Sequence, residues 1–380
     1  MENVVDVTDS IAVSWSSGNQ PRPRFSILIP TRNRPEWLRQ SVQAALDQKF
    51  DHFEVIVVDN SDPGKSPTED IVAEITSSKL RYIRTGGLSM PNNWQAAVEA
   101  ALGDFFIICS DKLILVPGLL GFLDQTIRET NGRVVVWKLG SSSQAKDLQF
   151  NEISVRSVPG SWIWEGAAQG AWRVLYDAGA RGMNSAIDRR LVGEVESKLG
   201  APFCRPCTPD YSIAITLGAL EYESLVLDAV GATFLSDAHG TGMLALMAPD
   251  DETVRKQFSV PEVVDLPIKF VTGTNLIYQD ICSLNHLLPS EKRRAINWEM
   301  YYVQLIHQAV NADDMGGFGE TRKKEMLAVL RTQPLRFRLS LLKTVVIQEF
   351  QNLVRRKWSY SFQARRMVRL IKYALVPLIS

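Results

Sequence analysis

The chain has 380 residues, of which 45% are hydrophobic, so it is long enough for one large domain with an appendage or for two domains. Lys and Arg total 42, as do Asp and Glu, which gives the whole chain no electrostatic bias toward nucleic acid. The four cysteines are too few for a disulfide scaffold, and neither a secretory signal nor an uncharged apolar run of membrane-spanning length is present, so we expect a cytoplasmic protein.

Strands and helices alternate over the first 140 residues. Short β-branched runs predict buried strands over 25–30, 53–62, 80–85, 104–111 and 133–140. Segments with helical spacing of apolar residues predict helices between them, over 34–48, 66–78, 92–102 and 117–130. This alternation predicts a doubly wound α/β domain, with a mostly parallel sheet and helices on both faces.

The pattern loosens beyond about residue 150. A helix is predicted over 184–200, a second helical run follows Pro209 and Asp210, and 223–242 reads as a strand pair followed by a loop of small residues. Helical periodicity dominates from about residue 255. The predicted organisation is a flexible lead over 1–23, an α/β domain over 24–250 and a helical C-terminal region over 251–380.

Polar residues follow three of the predicted strands, as "PTRNR" (30–34), "VDNSD" (58–62) and "CSDK" (109–112). Open α/β sheets bind ligands beyond the carboxyl ends of their strands. These three segments therefore predict one binding edge.

The segments "FSILIPTRNRPEWLRQSVQAAL", "FEVIVVDNSD", "LSMPNNWQAAVEAALGDFFIICSD" and "VPG" occur in an order and spacing that resembles the family-2 glycosyltransferases. The resemblance is good over about 24–140, traceable to about 242 and absent from the C-terminal third. It implies the GT-A fold, with a nucleotide-binding half over 24–140 and an acceptor-side half over 141–250.

The resemblance also implies a set of residues that bind the nucleotide sugar. Arginine suits this role because its planar fork pairs with phosphate oxygens, and an ionised carboxylate accepts hydrogen bonds from a ribose or base. The set comprises Pro30, Thr31, Arg32, Arg34, Asp59, Asn60, Asn92, Asn93, Ser110, Asp111 and Lys112. Structural alternatives stay open: Asn33 or Asn92 capping a helix, and Asp59 forming an Asx turn.

In the resembling family a row of acids after the fourth strand holds Mg²⁺ or Mn²⁺ on the donor diphosphate. Here Asp111 is followed by Lys112 and Leu113. One alternative is metal-independent chemistry, in which Lys112 pairs with phosphate. Another is a weak Mg²⁺ or Mn²⁺ site at Asp111, to which His239 contributes. A third alternative is a protein without catalytic activity. The structural alternative for Lys112 itself is a side chain that points to solvent.

Inverting transfer requires a general base to deprotonate the acceptor hydroxyl. The resemblance favours Asp210, just before a predicted helix, with Asp188 and Glu165 as reserves. An acid at a helix start also has a structural explanation, because it complements the helix dipole.

The segment 355–380 contains seven basic residues and no acid, interleaved with aromatic and aliphatic residues. This pattern is typical of a helix on an anionic membrane surface, although a solvated helix packed on the protein is the alternative.

Taken together, the resemblance and the basic segment predict an inverting glycosyltransferase at the inner face of the cell membrane. It would move a sugar from a nucleotide-sugar donor to a surface-polysaccharide or lipid-linked glycan acceptor. The alternative is a degenerate GT-A protein that binds a nucleotide sugar or scaffolds a glycan-assembly complex.

Overall fold

The computed structural model describes residues 22–64, 67–141, 153–235, 266–314 and 320–355, together with the single positions 252, 256, 367, 368 and 370. The chain forms two compact units, one of 1–167 with 172–238 and one of 168–171 with 239–380. The predicted boundary at residue 250 and nearly all of the predicted lead lie outside the described residues and stay predictions.

The first unit contains nine strands and eight helices in its described part. The strands are β1 (Phe25–Thr31), β2 (Phe53–Asp59), β3 (Leu80–Arg84), β4 (Phe105–Ile108), β5 (Leu113–Leu115), β6 (Val134–Ser141), β7 (Val155–Val158), β8 (Ser185–Asp188) and β9 (Ser224–Phe234). The helices are α1 (Pro35–Leu46), α2 (Thr68–Ala73), α3 (Met90–Ala100), α4 (Leu119–Thr130), α5 (Gly160–Ala168), α6 (Arg173–Ala178), α7 (Arg190–Leu199) and α8 (Pro209–Ala219).

The strands form a single sheet in the order β3-β2-β1-β4-β8-β6-β9-β5, and β7 also pairs with β9. The four strands β3, β2, β1 and β4 are parallel, as is the pair β6 and β9. The shorter β5, β7 and β8 pair antiparallel to their neighbours. The predicted fold class is confirmed, and the first antiparallel pair is formed where β8 joins β4.

The central strands are buried on both faces, which explains their largely apolar sequences. Phe25, Ile27 and Ile29 of β1 alternate along the strand and pack in one core cluster with Leu38 and Val42 of α1. The intervening residues of β1 point to the other face of the sheet, and α3 also packs on β1 and β2.

Two predictions beyond residue 150 are wrong. The predicted helix over 184–200 begins as strand β8, because Ala186 and Ile187 pair with β4 and β6, and only Arg190–Leu199 is helical. The predicted strand pair is one strand of 11 residues, β9, whose register against β6 shifts near Lys138. Residues 236–242 of that prediction lie outside the described part.

A buried carboxylate joins the start of the sheet to the end of α3. Glu54 is fully buried and accepts hydrogen bonds from Ser26 Oγ (2.6 Å), an Arg81 guanidinium nitrogen (2.7 Å) and the Leu102 backbone N–H (2.7 Å). The backbone N–H of Gly103 donates to the same Ser26 hydroxyl at 2.8 Å. Since each of these polar groups finds a hydrogen-bond partner within the network, the network holds β1, β2 and β3 in register.

The second unit is helical in its described part. It contains α9 (Gly273–Leu287), a 3₁₀ turn (Ser290–Lys292), α10 (Trp298–Asp314), α11 (Glu320–Thr332) and α12 (Leu335–Arg355). Thr272 caps α9 by accepting a hydrogen bond from the backbone N–H of Asn275. Tyr301 of α10 donates its hydroxyl hydrogen bond to the Asn275 side chain at 2.9 Å, which ties α10 to α9.

Substitution Glu54→Ala should lower the free energy of unfolding by about 3 kcal/mol, because it leaves Arg81 and two buried donors without their acceptor. Urea unfolding followed by circular dichroism measures the change. Glu129→Ala, on an exposed position of α4, is the control and should change stability by less than about 0.5 kcal/mol. Equal effects of the two substitutions would contradict this role for Glu54.

Candidate functional site

The loops that follow β1 and β2 are held together at the carboxyl edge of the sheet. Thr31 and Asp59, the last residues of the two strands, are register partners. Asn33 donates to an Asp62 carboxylate oxygen at 3.1 Å and accepts from the Asp62 backbone N–H at 3.0 Å. Arg32 also donates to the Asp62 carboxylate, at 3.1 Å. The two predicted loops therefore form one surface.

The alternative in which Asn33 caps α1 is wrong. The cap position is Arg34, which makes no side-chain capping hydrogen bond, and Asn33 instead has a left-handed backbone conformation with φ of 54°. Pro30 lies buried within β1, and its contact with a nucleotide stays a prediction.

Asp111, just beyond β4, is the centre of this edge. Only 2% of the residue is exposed. Its carboxylate accepts hydrogen bonds from Thr31 Oγ1 (2.9 Å), Ser110 Oγ (3.2 Å) and an Arg34 guanidinium nitrogen (3.5 Å). Burial raises the pKa of Asp111, and the Arg34 charge and the hydrogen bonds oppose the rise. The sequence-predicted residues at 31, 34, 110 and 111 are therefore brought together.

Lys112 adds a second cation beside Arg34. The residue is half-buried, and its backbone carbonyl accepts from the Leu235 N–H at 2.9 Å. Burial lowers the pKa of Lys112, the positive charge of Arg34 lowers it further, and Asp111 opposes both effects. The edge thus holds two neighbouring cations against one buried carboxylate.

Asp59 is fully buried and already bound by protein groups. Its carboxylate accepts from the Tyr82 hydroxyl (2.8 Å), an Arg84 guanidinium nitrogen (2.7 Å) and the Ser61 backbone N–H (2.8 Å). The Ser61 contact has the pattern of the Asx turn that the sequence left open. Direct contact of Asp59 with a nucleotide stays a prediction, and Arg84, which sequence analysis missed, is the more exposed member of the pair.

Two of the three predicted asparagines stabilise the neighbouring loop. Asn60 donates to the Leu88 carbonyl (2.5 Å) and accepts from the Leu88 N–H (2.8 Å). Asn93 accepts from the Thr85 hydroxyl at 2.6 Å and is 4% exposed. Asn92 is exposed on α3, and the alternative in which it caps that helix is wrong, because Ser89 is the cap.

The described residues do not fit a divalent cation well. Among them no group of three or more His, Cys, Asp or Glu side chains could hold a metal ion. Asp111 offers one carboxylate, which already accepts three hydrogen bonds and has Arg34 and Lys112 as neighbours. Hard cations require several oxygen ligands, and cationic side chains repel them. His239 lies outside the described residues, so its metal role stays a prediction.

Asp210, the predicted base, occupies the first turn of α8 and is partly exposed. Burial of its carboxyl raises the pKa of Asp210, while the charge of Arg181 and the backbone N–H groups of Tyr211 and Asp210 itself oppose the rise. A carboxylate with a raised pKa is a stronger base than an exposed one, which suits proton abstraction.

Arg181 is a residue that sequence analysis missed. It is only 8% exposed, and its guanidinium carbon lies 4.9 Å from the centre of the Tyr176 ring and 5.8 Å from that of Tyr211. Its Nε has no hydrogen-bond partner among the described residues. The Tyr211 and Tyr176 hydroxyl oxygens are 2.9 Å apart. Tyr211 follows Asp210 directly in the chain, and the buried charge of Arg181 acts on the Asp210 carboxyl.

The two reserve bases are placed differently. Asp188 is buried at the end of β8; although its burial disfavours the charged form, hydrogen bonds from Arg190 and Arg133 keep its pKa below the ordinary value. Such a carboxylate is a weak base, and its contacts are those of a structural ion pair. Glu165 is exposed on α5.

The order of the strands, with polar residues at the carboxyl ends of the parallel ones, is that of an α/β domain with the GT-A fold. Among solved structures, TarS 1-349 of S. aureus in complex with UDP-GlcNAc is similar, with a TM-score of 0.54 and 13% identity, covering 93% of this chain and 90% of that one. At this identity the similarity shows the fold alone.

Residues 26–154 match the model of glycosyl transferase family 2. The probable glycosyltransferase YdaM of Bacillus subtilis (strain 168) is 26% identical over 223 residues, 55% of this chain and 50% of that protein. An uncharacterized glycosyltransferase of Rickettsia felis (strain ATCC VR-1525 / URRWXCal2) is 27% identical over 97 residues, 25% of this chain and 16% of that protein. The chain thus spans half the length of the first of these relatives and less of the second.

The N-terminal part of the chain, residues 26–154, is thus similar to glycosyl transferase family 2. The resemblance inferred from the sequence motifs is confirmed. The family match ends at residue 154, before Arg181 and Asp210, so it does not test the predicted role of Asp210.

Because the folded state holds the Asp111 proton more tightly than the unfolded chain, this group contributes stability below its ordinary pKa of 3.8, which is lost as pH rises through the raised pKa. Asp111→Asn removes that titration. The free energy of unfolding of the parent protein should therefore fall relative to the variant as pH rises from about 4 to about 8.

Urea unfolding at a series of pH values measures the difference, with Asp47→Asn on the surface as the control for loss of one negative charge. A difference between parent and Asp111→Asn that does not change with pH would contradict the prediction.

Proposed function

We propose that this protein is an inverting glycosyltransferase that moves a sugar from a nucleotide-sugar donor to a hydroxyl of a surface-polysaccharide or lipid-linked glycan acceptor. The match of residues 26–154 to the family-2 model supports the transferase class, and the similar TarS structure is named as a complex with UDP-GlcNAc. The observation that carries the mechanism is the pair of cations, Arg34 and Lys112, beside buried Asp111 at the joined strand ends.

The donor diphosphate would bind against Arg34 and Lys112. The Arg34–Asp111 contact is long, at 3.5 Å, and a quarter of the Arg34 side chain is exposed, so its fork can turn to phosphate oxygens. A half-buried lysine offers a point charge in a poorly screened setting, where its attraction to phosphate is strong. Arg32, with 38% of its side chain exposed, lies on the same loop.

In the transfer step the acceptor hydroxyl oxygen would attack the anomeric carbon from the side opposite the diphosphate. The bond from that carbon to the diphosphate oxygen breaks, and its electron pair leaves with the diphosphate. The hydroxyl proton passes to Asp210, and the configuration at the anomeric carbon is inverted. Arg34 and Lys112 would neutralise the charge that develops on the leaving group, a task that in many transferases falls to a bound metal.

A second candidate function is nucleotide-sugar binding without turnover. It is favoured by the contacts of Asp59 and Asp111, which are both buried and bound to protein groups. Binding of donor combined with no transfer to any acceptor would distinguish it from the first candidate. Under either function we propose that the protein lies at the cytoplasmic face of the membrane and contacts it through residues 355–380. Most of that segment lies outside the described residues.

Substitution Asp210→Asn should lower turnover at least a hundredfold and leave donor affinity unchanged, because the amide keeps the shape but accepts no proton. In the parent protein, turnover should fall as pH drops through the raised pKa of Asp210, since the protonated carboxyl cannot act as a base. Hydrolysis of a panel of donors, with calorimetric measurement of donor binding, gives both quantities.

The control is Asp228→Asn, on an exposed ion pair with Lys138, which should retain full turnover. Turnover by Asp210→Asn at the parental rate would remove Asp210 from the mechanism and direct attention to Asp188 and Glu165.

A further inference from the structure

One face of α12 exposes apolar and basic side chains together. Leu339, Ile347 and Phe350 are 52%, 45% and 63% exposed, and Arg336 and Lys343 are exposed among them. The spacing of these five residues, three or four along the chain, places them on the same side of the helix. We call Arg336, Leu339, Lys343, Ile347 and Phe350 the α12 outer face.

The opposite side of α12 is the packing side. Leu341, Val345 and Glu349 are at most 2% exposed, and the Glu349 carboxylate lies 3.6 Å from Nδ1 of His307 in α10. The outer face is therefore not required for contact between α10 and α12. An exposed apolar stripe that the fold does not use for packing marks an interaction surface.

Charge indicates which partner fits. Glu349 is the only acid within α12, and it is buried. At the margin of the face, Glu299 of α10 accepts hydrogen bonds from Ser340 (2.8 Å) and Thr344 (2.5 Å). The outer face itself thus carries positive charge alone, and the chain continues into a segment with seven basic residues and no acid.

A second copy of the same face is a poor partner, because like charges at Arg336 and Lys343 would oppose each other across the contact. No helix in the described part of the chain is long and apolar enough to cross a bilayer. A helix with an apolar stripe flanked by basic residues, and too polar to span, suits the interface of an anionic lipid bilayer.

We propose that the α12 outer face docks on an anionic lipid membrane, with the helix axis lying in the plane of the interface. From Arg336 to Phe350 the face would extend over about 21 Å of helix. Leu339, Ile347 and Phe350 enter the headgroup layer, and Arg336 and Lys343 pair with lipid phosphates. The proposal does not depend on the transfer reaction, since docking requires neither donor nor acceptor.

Co-sedimentation with sucrose-loaded vesicles tests the proposal. The full chain should bind phosphatidylglycerol vesicles and should not bind phosphatidylcholine vesicles, and binding should weaken as salt is raised. The triple variant Leu339→Ser/Ile347→Ser/Phe350→Ser should lose at least tenfold in partition coefficient. The double variant Arg336→Gln/Lys343→Gln should lose about fivefold for each charge removed.

The matched controls remove similar groups elsewhere. Leu102→Ser with Leu287→Ser removes two exposed apolar side chains, and Lys49→Gln with Arg128→Gln removes two exposed cations. Both controls should bind vesicles like the parent. Because every substituted residue is exposed, circular dichroism should show the parental fold in all variants.

Tryptophan fluorescence tests directly whether the α12 outer face enters the bilayer. In Phe350→Trp, tryptophan emission should shift to the blue on addition of phosphatidylglycerol vesicles and should be quenched by brominated lipid chains. In the control variant Leu102→Trp, the added tryptophan emission should neither shift to the blue nor be quenched by brominated lipid. The chain contains nine native tryptophans, so difference spectra against the parent are required.

Three outcomes would overturn the proposal. The parent chain could bind neither kind of vesicle. The triple variant could bind phosphatidylglycerol as tightly as the parent, which would assign membrane contact to another part of the chain. The parent could be a dimer that the triple variant dissociates, with no effect of lipid, which would make the face a contact between copies.

Discussion

The carboxylate of Asp111 is the contact on which the candidate site depends. An ionised carboxylate with 2% exposure loses several kcal/mol of hydration, so it requires donors from the surrounding protein. Thr31 supplies one from the end of β1, Ser110 supplies one from its own loop, and Arg34 supplies one from the start of α1. The requirement to satisfy one buried charge therefore fixes the end of β4 against the end of β1.

Because the carboxylates of Asp59 and Asp111 are bound to protein donors, the groups that a ligand can reach at the strand edge are mainly cationic. Asp59 and Asp111 both face protein donors, and the more exposed groups at the edge are Arg32, Arg34 and Arg84. Buried, paired carboxylates are poorly suited to a bare divalent cation, whereas guanidinium groups are suited to phosphate, which is the basis of the proposed donor contact. The same arrangement thus accounts for the departure of "SDK" from an acidic row and for the proposed contact of cationic side chains with the donor.

Sequence analysis predicted the first half of the fold because its strands have strong signals. β1 and β2 are mainly apolar runs ended by polar residues, and these signals are local. Strand β8 was missed because a run of four residues beside a longer helical pattern has no periodicity of its own.

Arg181 was missed because its significance depends on the rings of Tyr176 and Tyr211 and on the carboxyl of Asp210. Tyr211 and Asp210 lie about 30 residues away along the chain. The position of Asp59 was predicted, while its contacts with Tyr82 and Arg84 depend on the pairing of β2 with β3.

The central claim is that Arg34 and Lys112 take the place of a metal on the donor diphosphate. Calorimetric titration with UDP, GDP, dTDP and CMP, in EDTA and again with Mg²⁺ or Mn²⁺, tests it most directly. The account predicts that at least one nucleoside diphosphate binds equally well in both conditions and that Lys112→Met weakens this binding about tenfold or more. Binding that requires the metal and is unaffected by Lys112→Met would contradict it.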